Sequence, residues 1–272
     1  MSKKRRWILS IIVLFSVFSV LYLKISNDQF DINSVDQTTK LSNIRIVSMI
    51  TKGNEDFKHI SYDSGSSGSI FYKTGNTYYA LTAYHVVPEN KSNSYIVLTE
   101  NDKSMREYMN EGGQYMGVDQ YYAQFPRLNI VAVDKENDIA IVSFVSSQDL
   151  TLLPFASVGP QKGERCVTIS NPDGRHGVVS SGKITTNKPQ RIHYSNREKD
   201  VMAIKHSAHI SYGSSGSALL NEDFEIIGVN IGGQKATLFN FELSYFDRGN
   251  AVPLEKVVNL VKKSGIINGE NH

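Results

Sequence analysis

One cysteine in 272 residues, Cys166, excludes an intramolecular disulfide. Its place in a β-branched stretch, Arg165 to Ser170, reads as a buried, inert thiol. Only 7 prolines, with 40% hydrophobic and 21% charged residues, exclude a disordered or low-complexity chain. No strong excess of one charge is present, and the formal net charge of +2 is unevenly distributed. Residues 1–24 hold five Lys/Arg and no acid, so the remainder, with 24 basic against 27 acidic residues, carries −3. A basic nucleic-acid-binding surface is therefore not indicated. Internal duplication is also missing. The string GSSGS occurs at Gly65 to Ser69 and again at Gly213 to Ser217, but the flanking residues do not match.

There is one long apolar run. Trp7 to Leu23 contains no charge, follows Lys3-Lys4-Arg5-Arg6 and is closed by Lys24. Its 17 residues reach the lower end of the about 17–25 that span a bilayer and exceed the about 7–15 of a signal-peptide core. With no A-x-A site after it, residues 1–24 are expected to form a cytoplasmic basic tip and an uncleaved signal anchor, a single transmembrane helix. The chain beyond Lys24 would then be extracytoplasmic; secretion after signal-peptide cleavage is the alternative. Residues 25–42, polar and aperiodic, read as a linker.

From residue 43 the pattern changes to short β-branched and aromatic runs punctuated by Gly, Asn and Asp. Six are expected as strands in a first set: Ile44 to Thr51, Ser69 to Lys73, Tyr78 to Thr82, Tyr95 to Thr99, Leu128 to Val133 and Ile139 to Val145. Six more follow: Arg165 to Ser170, Val178 to Thr185, Val201 to Lys205, Ala218 to Asn221, Ile226 to Ile231 and Thr237 to Leu243. Two all-β barrels or sandwiches of similar size are the natural architecture. Glu100 to Tyr122 reads as a long surface loop. Pro253, the apolar spacing Leu254, Val257, Val258, Val261, and Gly265 predict a C-terminal helix over 253–264, packed on the second barrel.

Chemistry concentrates in Tyr212-Gly213-Ser214-Ser215-Gly216-Ser217-Ala218. Glycines on both sides of Ser215 free the backbone to project a hydroxyl while neighbouring N–H groups converge, the geometry that acyl transfer requires. Upstream, Leu81-Thr82-Ala83-Tyr84-His85 ends a strand pattern with a histidine, and Glu136-Asn137-Asp138-Ile139 opens one with an aspartate. Singly, these are ordinary turn and strand-end residues. Together they stand in the chain order His, Asp, Ser, each in the local context that serine-protease chemistry uses.

On these motifs the chain resembles a chymotrypsin-fold serine protease, most nearly the protease domain of bacterial HtrA (Deg)-type enzymes, with glutamyl endopeptidases next. The likeness extends to Gly65 to Phe71, Asn171-Pro172, Ser181 to Ile184 and Ile227 to Asn230. It implies an all-β fold of two six-stranded antiparallel β-barrels with a C-terminal helix. The protease domain would span 43–266, with barrels at about 43–150 and 155–252, and no PDZ domain is expected after it. The resemblance further implies Ser215 as nucleophile, His85 as general base and acid, Asp138 as the imidazole's partner, and an oxyanion hole at Gly213, Ser214 and Ser215. It implies no metal or organic cofactor and a protein or peptide as substrate. Substrate contacts are expected at His209, near the base of the primary pocket, and along Ile231-Gly232-Gly233. No acid stands there, which opposes a preference for Lys or Arg, and Asn230 replaces the specificity histidine of glutamyl endopeptidases. A small or medium apolar residue before the scissile bond is expected.

Ser214 and Ser217 depart from the usual Asp/Asn and Gly of the family motif without removing a catalytic atom. Ser66, Ser67 and Ser69 are rival hydroxyls, but they precede the histidine and match a structural strand. His206 and His209, three apart in an extended segment, face opposite ways and read as surface or cleft-lining residues, not as a metal pair. The alternative to a membrane-anchored extracytoplasmic endopeptidase is a catalytically silent protein of the same fold acting as a binding module.

Overall fold

A computed structural model describes residues 35–53, 58–63, 65–89, 93–186, 188–194, 200–238 and 241–267. The apolar run at 7–23 lies outside them. Among the described residues, no helix is long and apolar enough to cross a membrane.

Fourteen strands among the described residues form two antiparallel sheets. The first contains β1 (Asn43–Gly53), β2 (Lys58–Tyr62), β3 (Ser66–Thr74), β4 (Thr77–Ala83), β5 (Asn93–Thr99), β6 (Asn129–Asp134) and β7 (Ile139–Val145). Its order is β2-β1-β3-β4-β7-β6, with β5 also on β1. A bridge from Ile96 to Arg127 links β5 to the approach to β6 and closes a ring of six strands, leaving β2 as an added edge strand. The second sheet contains β8 (Arg165–Ser170), β9 (Val178–Lys183), β10 (Gln190–Ile192), β11 (Val201–His206), β12 (Ala218–Leu220), β13 (Ile226–Leu238) and β14 (Phe241–Pro253). The order is β10-β11-β14-β13-β12-β8-β9, and a bridge from Ile184 to His206 joins its two sides, leaving β10 outside the ring. Each sheet thus has seven strands where six were expected. The strand expected over Thr237 to Leu243 straddles two elements, the end of β13 and the start of β14.

Continuous runs of apolar, largely β-branched residues explain the interior. In β7, Ile139, Ala140, Ile141, Val142 and Phe144 are all buried, and β4 opposite contributes Tyr78, Ala80, Leu81 and Ala83. Each Ile, Val, Leu or Phe side chain so buried contributes about 1.5–3 kcal/mol, and each alanine methyl about 0.8 kcal/mol. The second core gathers Ile184, Ile204, Leu219, Ile227 and Ala251 around Cys166. Burial pushes the Cys166 thiol up to about 12, which makes it inert as a nucleophile.

Three helical segments modify the expected outline. Within 25–42, Gln37–Lys40 forms a short helix, α1, capped by Asp36. The 100–122 stretch is not a plain loop. Met105–Asn110 (α2) and Val118–Tyr122 (α3) fold there, and Tyr121 and Tyr122 pack on Val47, Ile96 and Leu98 of the first barrel. Ser104 and Glu107 make a reciprocal capping box that starts α2. The C-terminal helix α4 (Leu254–Ser264) ends at Gly265, in the left-handed conformation at φ 68°. It contacts β13 and β14, and also β6 and β7 of the first sheet, so it clasps both barrels.

Candidate active site

The register of β4 against β7 sets the first half of the site. Ala83 faces Ile139, so the residues just beyond that pair, Tyr84-His85 and Asp138, meet at the end of the ladder. Tyr84 N–H donates to Asp138 O at 3.0 Å. His85 sits in a single 3-10 turn, Tyr84–Val86. Asp138 takes φ 54°, a left-handed conformation that aspartate tolerates better than most residues. The preceding turn is tied by Asn137 N–H and Nδ2 donating to the Asp134 carboxylate at 3.0 and 2.7 Å. Asp138 then holds His85 twice: Oδ1 accepts the backbone N–H at 2.9 Å and Oδ2 meets ring Nδ1 at 2.8 Å. The Asp138 side chain is 4% exposed and the His85 ring 37%, so a shielded carboxylate orients an accessible imidazole.

Residues 212–217 provide the second half. Gly213 and Gly216 adopt φ 93° and 91°, and both are hemmed in by backbone. A Cβ at Gly216 would collide with Ser67 O and Thr82 Oγ1, and one at Gly213 with Asn171 O. Four successive carbonyls of the turn, Tyr212 to Ser215, are engaged. Asp173 N–H donates to Tyr212 O at 2.6 Å, Ser67 Oγ to Gly213 O at 2.7 Å, Ser217 Oγ to Ser214 O at 2.8 Å and Ser67 N–H to Ser215 O at 3.0 Å. Ser214 N–H is spent on Ser211 O at 3.0 Å. Ser215 and His85 line one cavity of about 390 Å³ with Ser66, Tyr194, Ile210, Tyr212, Gly213 and Ile231-Gly232-Gly233. A larger groove of about 770 Å³ along Tyr95 and Ile130–Val133 pairs no serine with a histidine, so size does not mark the site.

A polar layer lies beneath the turn. Asn230, fully buried, donates from Nδ2 to Thr168 Oγ1 at 3.0 Å and to Ser217 Oγ at 2.9 Å. Its Oδ1 must therefore accept from His206 Nε2, at 2.8 Å. This leaves His206 neutral and protonated on Nε2, and burial pushes its pKa down to about 4. His206, expected at the surface or lining the cleft, is instead 0% exposed. Ser214 Oγ accepts from Ser211 N–H at 3.1 Å and from Ser170 Oγ at 3.2 Å. Both unusual serines of the motif are thus buried hydrogen-bonding posts.

Of the residues expected to contact substrate, Ile231, Gly232 and Gly233 line the cavity, whereas His209 is exposed and does not. Tyr194 was not foreseen. It packs over Gly232, and its hydroxyl accepts from Asn250 Nδ2 at 3.0 Å. No local pattern marks it, because the contact joins residues far apart in the chain.

A family model of the trypsin-like peptidase domain matches residues 65–229, more than half of the chain and both halves of the site. The chain belongs to the trypsin-like peptidase family. Its relatives include HtrA proteins. Serine protease Do-like HtrA of Lactococcus lactis subsp. lactis (strain IL1403) is 25% identical over 206 residues, covering 75% of this chain and 45% of its own length. Serine protease HTRA3 of Rattus norvegicus is 30% identical over 140 residues, 51% of this chain and 29% of its own. Serine protease HtrA-like of Staphylococcus aureus (strain MRSA252) is 27% identical over 251 residues, 87% of this chain and 29% of its own. The chain therefore spans less than half the length of these relatives.

Proposed function

We propose that the chain hydrolyses peptide bonds through His85, Asp138 and Ser215, outside the cytoplasm and tethered to a membrane by residues 7–23. The observation that carries the catalytic part is Asp138's double hold on His85, 2.9 Å to the backbone and 2.8 Å to Nδ1, beside a cavity that also contains Ser215. With Nδ1–H donating to the carboxylate, Nε2 is the unprotonated nitrogen that serves as base. Ser215 Oγ attacks the scissile carbonyl as its proton passes to His85 Nε2. The tetrahedral oxyanion is held by Gly213 and Ser215 N–H, since Ser214 N–H is already donated within the turn. Collapse breaks the C–N bond, and His85 returns the proton to the leaving amine. Water, deprotonated by His85, then cleaves the acyl ester and restores Ser215 Oγ–H. Asp138 stays ionised throughout and stabilises the imidazolium.

Substrate would lie along Ile231-Gly232-Gly233, with the residue before the scissile bond among Ile210, Ile231 and Tyr194. The apolar lining supports a small or medium apolar residue there. The tether rests on the uncharged run Trp7 to Leu23 behind four basic residues. Digestion of an unfolded protein such as β-casein by the full chain, lost in Ser215→Ala, tests the activity. For the tether, alkaline carbonate should leave the chain in the membrane pellet while external proteinase K degrades it. Recovery from the medium without residues 1–24 would support the secreted alternative.

A further inference from the structure

The first GSSGS string also sends a buried hydroxyl to the catalytic turn. Ser67, 0% exposed, sits in β3 of the first barrel, yet its hydroxyl lies between two segments of the second. Ser67 Oγ accepts from Asn171 N–H at 2.9 Å, at the end of β8. Its own proton is therefore directed to Gly213 O at 2.7 Å. One residue's backbone and side chain thus grip two carbonyls of the turn, Gly213 O through Oγ and Ser215 O through N–H at 3.0 Å.

We infer that Ser67 is a positioning residue for the oxyanion hole, acting through the Gly213–Ser214 peptide. The inference rests on the triad reading above. A trans peptide directs its C=O and N–H to opposite sides, so a fixed carbonyl fixes the plane. The Gly213–Ser214 plane is held at both ends, its carbonyl by Ser67 Oγ and its N–H by Ser211 O at 3.0 Å. The planes on either side carry the Gly213 and Ser215 N–H groups. Their carbonyls, Tyr212 O and Ser214 O, are held from Asp173 and Ser217. Among the described residues these two N–H groups donate to no protein acceptor, as donors reserved for a developing oxyanion require.

Every grip on the middle plane except Ser67 Oγ comes from the turn itself. Gly213, at φ 93° and without a Cβ, has low intrinsic resistance to a flip of that plane. Deleting the hydroxyl leaves Gly213 O without its donor in a partly buried place, and the flipped arrangement becomes competitive. The loss falls on the transition state, because a ground-state carbonyl draws less on the two N–H groups than an oxyanion does.

The test compares the wild-type full chain with Ser67→Ala, Ser67→Thr and Ser67→Val, measuring kcat and KM on one peptide ester, affinity for a peptide boronate, and affinity for a product peptide. Thr and Val have the same shape and differ only in the hydroxyl, so their ratio isolates it even if Ala folds poorly. The expected result is a kcat lower by about 10- to 100-fold in Ala, a smaller effect than the about 100- to 1,000-fold of removing a donor outright. Boronate affinity should fall in parallel, KM and product affinity should stay within about twofold, and Thr should exceed Val by a similar factor. Equal kcat in Thr and Val, or product affinity falling as far as boronate affinity, would overturn the inference. A wild-type chain with no Ser215-dependent turnover would remove the triad reading and this one with it, whereas an unaffected Ser67→Ala beside an inactive Ser215→Ala would remove this one alone.

Discussion

Asp138 binds His85 with both carboxylate oxygens, Oδ1 on the backbone N–H at 2.9 Å and Oδ2 on Nδ1 at 2.8 Å. The two contacts together dictate the ring's tautomer. In Asp138→Asn the amide oxygen is claimed by the His85 N–H, so the NH₂ group faces Nδ1 and drives the ring proton to Nε2, where it blocks the base. The variant should fold, since asparagine also accepts φ 54°. Its kcat should fall by about 1,000- to 10,000-fold with KM little changed. Steady-state kinetics beside a thermal melt check this, and a loss below about tenfold would contradict the assigned role.

Gly216 is fixed by its surroundings more than by its neighbours in sequence. At φ 91°, with Ser67 O and Thr82 Oγ1 occupying the space of a Cβ, Gly216→Ala must move either β3 or the catalytic turn. The left-handed backbone alone costs about 1–2 kcal/mol. Chemical denaturation should register at least that loss, and activity should fall with it. A fully active, equally stable Gly216→Ala would show that the turn is looser than described.

Buried His206 and half-buried His176 set the acid side of the stability curve. Burial pushes His206 down to about 4, and burial followed by the nearby Arg45 pushes His176 down to about 4 against the attraction of Glu107 and Asp102. Both values lie below the about 6.5 of an unfolded histidine, so the unfolded chain binds more protons between these limits. Stability should fall as pH drops from about 6.5 to about 4, by up to about 1.4 kcal/mol per pH unit for each histidine, and the histidine contribution should level off below that. Urea unfolding across this range should show the slope, and His206→Gln should reduce it. An unchanged slope in that variant would remove His206 as a source.

Cleavage preference follows from the walls of the cavity. With Ile210, Ile231 and Tyr194 beside Gly232 and Gly233, a peptide-library digest should be dominated by cuts after Val, Ile, Leu or Ala. Cuts concentrated after Glu or Arg would contradict this.

Much of this was legible in the sequence because it is local. The motifs around His85, Asp138 and Ser215 each combine a strand end with a turn, and β-branched runs outlined the strands that close the two rings. The short edge strands were not legible: Lys58–Tyr62 and Gln190–Ile192 lack a sustained apolar alternation. Thr237 to Leu243 carries β-formers on both sides of a reversal, so composition merged the ends of two strands. In the 100–122 stretch, the Ser104–Glu107 capping box was the overlooked signal. The polar supports of the turn had no local signature. Ser67 meets Asn171 across 104 residues, and Asn230 meets Thr168 across 62. The first contact exists only once the two barrels meet, the second only once the second barrel has closed.

The most direct test is labelling of the full chain by a fluorophosphonate, which reacts only with a serine activated by its base. Wild type should be labelled at Ser215, with labelling abolished in Ser215→Ala and nearly so in His85→Ala. A folded wild-type chain that takes no label, or one labelled equally in Ser215→Ala, would contradict the assignment of Ser215 as the nucleophile.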